Sequence, residues 1–275
     1  LFFILQSIDT KTYPHYLCPM QPLTVIITTF NESDNIAGVL ASADWADEIL
    51  VVDSFSADNT AALAQQHPKV RLLQRAYPGP ADQKNWAIPQ ATHEWILLLD
   101  ADERVTPELR SEIESCLSRD EIPFDAFWIG RNNHFLGQRI RYSGWQGDAV
   151  VRFFRRDVCR YDDKQVHEEI VTQGLRVGRL NHKMEHYTFK SAAHFLDKVN
   201  RYAAWSAQDY AAKTPRVTAF HLFFKPLFRF FKHFTLQRGF LDGRTGLVVC
   251  AILAWSVFLR YLYLLEKQAS NSVVR

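Results

Sequence analysis

Cysteine is scarce in this chain of 275 residues, and its four positions, Cys18, Cys116, Cys159 and Cys250, form no Cys-x-x-Cys pair. That spacing supports neither a structural zinc site nor a disulfide framework, and it points to a reducing, cytosolic compartment. Glycine-rich phosphate loops are missing as well. No Gly-x-Gly-x-x-Gly follows the first apolar run and no Walker lysine loop occurs, which argues against Rossmann dehydrogenases and P-loop enzymes. A sugar-nucleotide nucleotidyltransferase would carry a Gly-rich, Arg-Lys-containing loop at that same place, and it too is absent. The lead-in Leu1–Pro19 has no basic segment and no small-residue cleavage site, so it does not read as a signal peptide. Met20 is taken as the natural start and 1–22 as peripheral. Acidic residues are scarce at one end only. Leu1–Ala212 holds 22 Lys/Arg against 28 Asp/Glu, whereas Lys213–Arg275 holds 10 against 2, so an acidic body carries a basic tail.

What is present centres on Trp95-Ile96-Leu97-Leu98-Leu99-Asp100-Ala101-Asp102-Glu103-Arg104, an apolar run that meets carboxylates without an intervening turn. Such a run fits a strand buried on both faces of a parallel sheet, and the carboxyl end of that strand is a ligand crevice. Asp100 and Asp102, two apart, leave an extended segment on the same side, where they could share Mg²⁺ or Mn²⁺ with a substrate's phosphates. The competing reading is an acidic strand-to-helix turn, because Thr106-Pro107-Glu108 has the form of a helix start.

Leu23–Thr29 and Glu48–Val52 repeat the pattern of strand, polar loop and helix, with Ser33 expected to cap the first helix. Val70–Leu73 and a helix over Ala81–Gln90 complete a unit in which four strands alternate with helices, a doubly wound α/β sheet with right-handed crossovers. Polar residues gather at the strand ends: Thr28, Thr29, Asn31 and Glu32, then Asp53 and Ser54, then Asp100 and Asp102. Asp53 either receives hydrogen bonds from a ribose or base, or serves its own turn. Beyond Arg119 the pieces shorten to Ala126–Gly130, Arg139–Tyr142 and Ala149–Phe154, punctuated by glycines.

Thr28-Thr29-Phe30-Asn31-Glu32, Trp45-Ala46-Asp47-Glu48-Ile49, Val52-Asp53-Ser54, Asp58-Asn59-Thr60, Gln83-Lys84-Asn85, the Asp100 to Val105 stretch, Ser143-Gly144-Trp145 and Val166-His167-Glu168 follow one another in order. In this the chain resembles family 2 inverting glycosyltransferases, and within them the bacterial lipopolysaccharide inner-core β-1,4-glucosyltransferases. The resemblance runs from about Leu23 to Leu265 and includes Gly239-Phe240-Leu241-Asp242-Gly243-Arg244. It implies a GT-A type nucleotide-sugar-binding fold over 23–190, a mostly parallel sheet flanked by helices. It also implies transfer of glucose from UDP-glucose to an inner-core heptose with inversion.

For the site, the resemblance implies donor contacts from Thr28, Thr29, Asn31, Glu32, Asp53, Lys84, Asp100, Ala101 and Asp102. A Mg²⁺ or Mn²⁺ ion would sit on Asp102, helped by Asp100 and His186, although a hydrogen-bonded core histidine is the alternative for His186. Glu168 matches the family's base, with Glu169 its rival, and His167 reads as a helper. Gly144, Trp145 and Arg152 fall on the acceptor side, and Arg152, Arg155 or Arg156 would hold an anionic acceptor or the diphosphate.

In the tail, 191–275, the stretch from Arg216 to Arg244 has six Lys/Arg, one acid and eight Phe. Lys225, Arg229 and Lys232 share one helical face opposite Phe220, Phe223, Leu227, Phe231 and Phe234, which suits an anionic membrane surface and not nucleic acid. Pro226 is expected to kink or split that helix. Gly246–Leu259 is uncharged, but Arg260 cuts the run short of the roughly 20 residues of a span. A monotopic or dimer-buried helix at the cytoplasmic face of the bacterial inner membrane, with a lipid-linked core oligosaccharide as acceptor and a possible homo-oligomer, is the resulting expectation.

Overall fold

A computed structural model describes residues 20–162, 169–189 and 191–273. The lead-in, Glu168 and His167 lie outside the described residues.

Strand β1 (Leu23–Thr29) pairs in parallel with β2 (Glu48–Asp53) and with β4 (Trp95–Asp100), and β2 pairs with β3 (Val70–Gln74). Val25, Ile26 and Ile27 are fully buried, as are Leu97, Leu98 and Leu99, because helices cover both faces of this half-sheet. Helices α1 (Ser33–Ala43), α2 (Thr60–Gln65) and α3 (Pro80–Ala87) connect the four strands. Helix α4 (Pro107–Leu117) follows, started by Thr106, whose hydroxyl accepts the Leu109 N–H at 3.2 Å.

Ser33 does not cap α1. The N-cap is Glu32, which makes no side-chain cap, and the start is held from the next loop: Ser33 N–H donates to Asp58 at 3.1 Å and Glu32 N–H to the Thr60 hydroxyl at 2.8 Å. The Thr60 hydroxyl, working against slight burial, and the Thr60 and Ser33 N–H groups together hold Asp58 down to about 2.

The second half of the sheet is not parallel throughout. Short β5 (Glu103–Arg104) and β7 (Gln138–Arg139) join the long strands β6 (Ala126–Phe135), β8 (Ala149–Arg155) and β9 (Val177–Phe189). The order is β3-β2-β1-β4-β8-β6-β9-β5, with β8 antiparallel to β4 and to β6, and β6 parallel to β9. The expected strand over Arg139–Tyr142 is only its first residue, because Asp242 takes the Arg141 and Tyr142 N–H groups that a ladder would use.

Helix α5 (Ala192–Ala211) then packs against the long C-terminal helix α7 (Gly243–Val273). Between them the chain turns through a π-helix (Phe220–Phe224), α6 (Lys225–Phe231) and a second π-helix (Lys232–Leu236), with Pro226 in the first turn of α6. Arg260 does not interrupt α7: its guanidinium stacks 4.4 Å from the Tyr210 ring centroid on α5.

Of the two faces expected in the tail, the aromatic one is the more exposed. Lys225 turns inward to donate to the Tyr261 hydroxyl at 2.8 Å, and Arg229 is half-buried, while Phe223, Phe224, Leu227, Phe228 and Phe231 are exposed. Stacking against Tyr261 satisfies the Lys225 cation, so the aromatics face outward.

Candidate active site

The carboxylates that close β4 are positioned by the sheet itself. Glu103 and Arg104 form β5 against β9, which sets Glu103 opposite His186, and Tyr187 N–H donates to the Asp102 carbonyl at 2.9 Å. His186 Nε2 thereby lies 3.5 Å from Asp102 Oδ2. The other ring nitrogen, Nδ1, is 2.6 Å from Asn133 Oδ1, and Asn133 Nδ2 donates to Asp148 at 2.7 Å. With the Asn133 oxygen fixed as an acceptor, Nδ1 donates to it and Nε2 is the nitrogen turned to Asp102. A metal-binding histidine is oriented in this way by the partner of its second nitrogen. Burial works against ionisation of Asp102, but the contact with His186 outweighs it and the carboxyl sits below its ordinary range.

Among the described residues no group of three or more His, Cys, Asp or Glu side chains could hold a metal. Asp100 is engaged elsewhere. Its Oδ1 receives the Thr28 hydroxyl at 3.1 Å and Lys84 Nζ at 3.4 Å, and its Oδ2 receives the Arg152 guanidinium.

Arg152 is 3% exposed and also meets Glu103, which is wholly buried, at 3.2 Å and the Tyr161 hydroxyl at 3.2 Å. Arg131 spans Asp148 at 2.9 Å and Glu103 at 3.4 Å. Burial would weaken the Arg152 cation, yet Asp100 and Glu103 hold it well above the ordinary guanidinium range. The same burial disfavours ionised Asp100, but Arg152 and then Lys84 override it and keep that carboxyl far below its usual value.

These groups open into a cleft of about 1140 Å³. Thr28, Thr29, Glu32, Lys84, Asp100, Ala101, Asp102, Gly144, Trp145, Arg152, Glu169 and His186 all line it. Asn31 and Asp53 are not brought in. Asn31 Oδ1 accepts the Ala57 N–H at 2.8 Å, and the buried Asp53 carboxylate receives Ser56 N–H and Gln74 Nε2, each at 3.0 Å, so both lace the loops behind the cleft. Arg155 pairs with Glu94 and Arg156 with Asp157, neither of them in the lining.

The profile of glycosyl transferase family 2 matches residues 24–191, more than half of the chain. The chain belongs to glycosyl transferase family 2. Among its relatives are an uncharacterized glycosyltransferase of Rickettsia felis, 28% identical over 93% of this chain and 94% of that one, and the lipopolysaccharide core biosynthesis glycosyltransferase LpsC of Rhizobium meliloti, 27% identical over 89% and 95%. The mannosyltransferase PcManGT from Pyrobaculum calidifontis, solved with GDP-Man and Mn²⁺, shares the fold at 19% identity and a TM-score of 0.50, covering 92% of this chain and 81% of that one.

In this glycosyltransferase Thr28, Thr29, Lys84 and Asp100 mark the carboxyl edge of the parallel strands, where α/β folds receive nucleotides. The lining also takes in Gly144 and Trp145 and, from α5, Lys198, Arg201 and Tyr202, while Glu169, whose carbonyl accepts the Asp162 N–H at 3.0 Å, lies beside Tyr161, over whose ring Lys84 sits at 5.2 Å. Sequence reading missed Arg131, Asn133, Asp148 and Tyr161, whose roles depend on pairing between distant strands. It also missed Lys198, Arg201 and Tyr202, whose i, i+3, i+4 spacing on α5 was the available signal. Arg201 is exposed and has no ion pair with a described residue.

Replacing Asn133 with Ala is expected to free the His186 ring and to weaken Mn²⁺ binding by about 10- to 100-fold, measured by calorimetry, with little change in nucleotide affinity without metal.

Proposed function

We propose that this glycosyltransferase transfers glucose from UDP-glucose to an inner-core heptose of lipopolysaccharide, with inversion, at the cytoplasmic face of the inner membrane. The observation that carries the transfer reading is the cleft in which Asp102 and His186 sit with buried Lys84 and Arg152, and which Glu169 also lines. LpsC, which is named for lipopolysaccharide core biosynthesis, supports the acceptor class.

Thr28 and Thr29 lie where a nucleotide would rest, and the Thr29 hydroxyl is buried without a partner, available to a donor. Lys84, 5% exposed, faces the diphosphate position and loses part of its pairing with Asp100 when phosphate arrives. Asp102 and His186 fit a Mg²⁺ or Mn²⁺ ion, which when bound would neutralise the departing diphosphate. One carboxylate of the Glu168-Glu169 pair takes the proton of the acceptor hydroxyl as the hydroxyl attacks the anomeric carbon from the face opposite the nucleotide. Glu169 is exposed within the cleft.

The test is nucleotide release from UDP-, GDP- and ADP-sugars with purified inner-core acceptor, followed by the anomeric configuration of the product. UDP release that requires acceptor, giving a β-linked product, is the expected result. Release of pyrophosphate, or a retained anomer, would overturn the reading. Glu168→Gln and Glu169→Gln assign the base: the variant that loses about 10²- to 10⁴-fold in kcat with donor KM unchanged identifies it.

The membrane assignment rests on exposed aromatics and not on charge. Phe223, Leu227 and Trp255 border an apolar groove of about 440 Å³ between α6 and α7, and Phe224, Phe228 and Phe231 stand outside it. The stretch Gly239–Ser270 is long and apolar enough to cross a membrane, yet Val249, Val257 and Tyr261 are buried against the protein, which favours a monotopic helix. Phe224→Ser, Phe228→Ser and Phe231→Ser are each expected to weaken partition into anionic vesicles by about 1.5–3 kcal/mol, while high salt releases the native protein only in part. Complete release by salt alone would refute apolar insertion.

A further inference from the structure

The Gly239–Gly243 element, far along the chain from the cleft, is tied directly to its acceptor-side wall. Asp242 sits at the end of a 3₁₀ turn, and its carboxylate receives Arg141 N–H at 3.0 Å, Tyr142 N–H at 3.0 Å and the Ser143 hydroxyl at 2.9 Å. Gln237 carbonyl accepts Ser143 N–H at 3.2 Å, and His233 Nδ1 donates to the Ser143 carbonyl at 2.8 Å. Every one of these partners comes from the segment that leads into α7.

Two features show that the local geometry is imposed. Ser143 has φ of 59° and Gly144 of 88°, and a left-handed serine costs about 1–2 kcal/mol unless surrounding contacts hold it. Space is equally restricted. A Cβ on Gly144 would run into Gln237 and His233, one on Gly239 would meet Cys250 Sγ at 2.7 Å, and one on Gly246 would overlap the Gly239 carbonyl oxygen. Trp145 follows at once and packs edge-on to Phe195 of α5, 6.4 Å between centroids, so the lip is clamped from both sides.

We infer that Asp242 is a positioning residue: through Tyr142 and Ser143 it fixes the Gly144-Trp145 lip of the cleft, so that the C-terminal helices complete the acceptor side of the site. The inference rests on the sugar-transfer reading for the word acceptor. The Asp242 carboxylate bonds to Arg141, Tyr142 and Ser143, whereas Asp100 at the donor end is held by Thr28, Lys84 and Arg152. Release of the lip therefore acts on acceptor use and leaves nucleotide binding intact.

Asp242→Asn and Asp242→Ala, made in the full chain, test it by two measurements. Hydrogen exchange followed by mass spectrometry should show at least tenfold faster exchange over 140–147 and unchanged exchange over 95–105. Steady-state kinetics should show kcat/KM for acceptor reduced at least tenfold, with UDP affinity within twofold of the native protein. Should Asp242→Ala fail to fold, Ser143→Ala removes one of the three bonds and is expected to move both readouts the same way by less. Unchanged exchange in the lip, or parallel losses of UDP affinity and acceptor use, would overturn the positioning role. If the native protein transfers no sugar to any acceptor, the functional reading fails while the exchange comparison still decides whether Asp242 holds the lip.

Discussion

Asp102→Asn should slow sugar transfer by about 10²- to 10³-fold in kcat in a protein that still folds. The amide keeps the volume of the carboxylate but not its charge, so His186 Nε2 would face a neutral group. Electrostatic groups aimed at charge that develops during reaction are typically worth about 10²–10³ in kcat, and that is the expected loss. Mn²⁺ affinity, read by the paramagnetic resonance of the free ion, should fall in parallel, whereas UDP affinity without metal should hold. Some stability is lost with the charge, because the contact with His186 holds the Asp102 carboxyl below its ordinary range against the cost of burial. A variant that does not fold, or one that keeps native activity, would remove Asp102 from the role assigned to it.

That contrast between a residue spent on function and one spent on the fold shows where sequence reading stops. Strands β1, β2 and β4 were legible because each carries an uninterrupted apolar or β-branched run, and the donor edge was legible because polar residues follow each of them at once. The fold class followed from that alternation. Neighbouring roles within one motif were not separable. Asn31 and Asp53 belong to the same strand-end clusters as Thr28 and Thr29, but their oxygens lace two loops together, and only the partners across the loops reveal it.

Asp100 and Asp102 likewise look equivalent on an extended segment. Pairing of β5 with β9 brings histidine to one, while β8 brings arginine to the other, and both pairings join residues far apart in the chain. In the tail, periodicity separated a basic face from an aromatic face correctly. It could not say which faces out, because that depends on Tyr261 meeting Lys225.

Arg152→Leu should be the most damaging single change to stability. The substitution keeps the bulk of the side chain but strands Asp100 and Glu103, of which Glu103 is wholly buried. Removing one partner of a buried ion pair typically costs about 3–5 kcal/mol, a large share of the 5–15 kcal/mol that holds an ordinary domain together. Lys84 still faces Asp100 and Arg131 still faces Glu103, so the lower end of that range is expected. The pH dependence carries a sign that identifies the cause. In the native protein Asp100 is held below its unfolded value of about 3.9, so its stabilisation is present above that pH and is lost as pH falls toward the lower folded value. In the leucine variant burial acts on the Asp100 carboxyl with less opposition and raises its folded value. That carboxyl then takes up a proton before the unfolded chain does, which relieves the variant as the solution becomes more acid. Denaturant unfolding of the two proteins between pH 8 and pH 4 should therefore show a gap that narrows on acidification. A gap independent of pH would mean that lost packing of the Arg152 stem, and not the stranded charge, carries the cost.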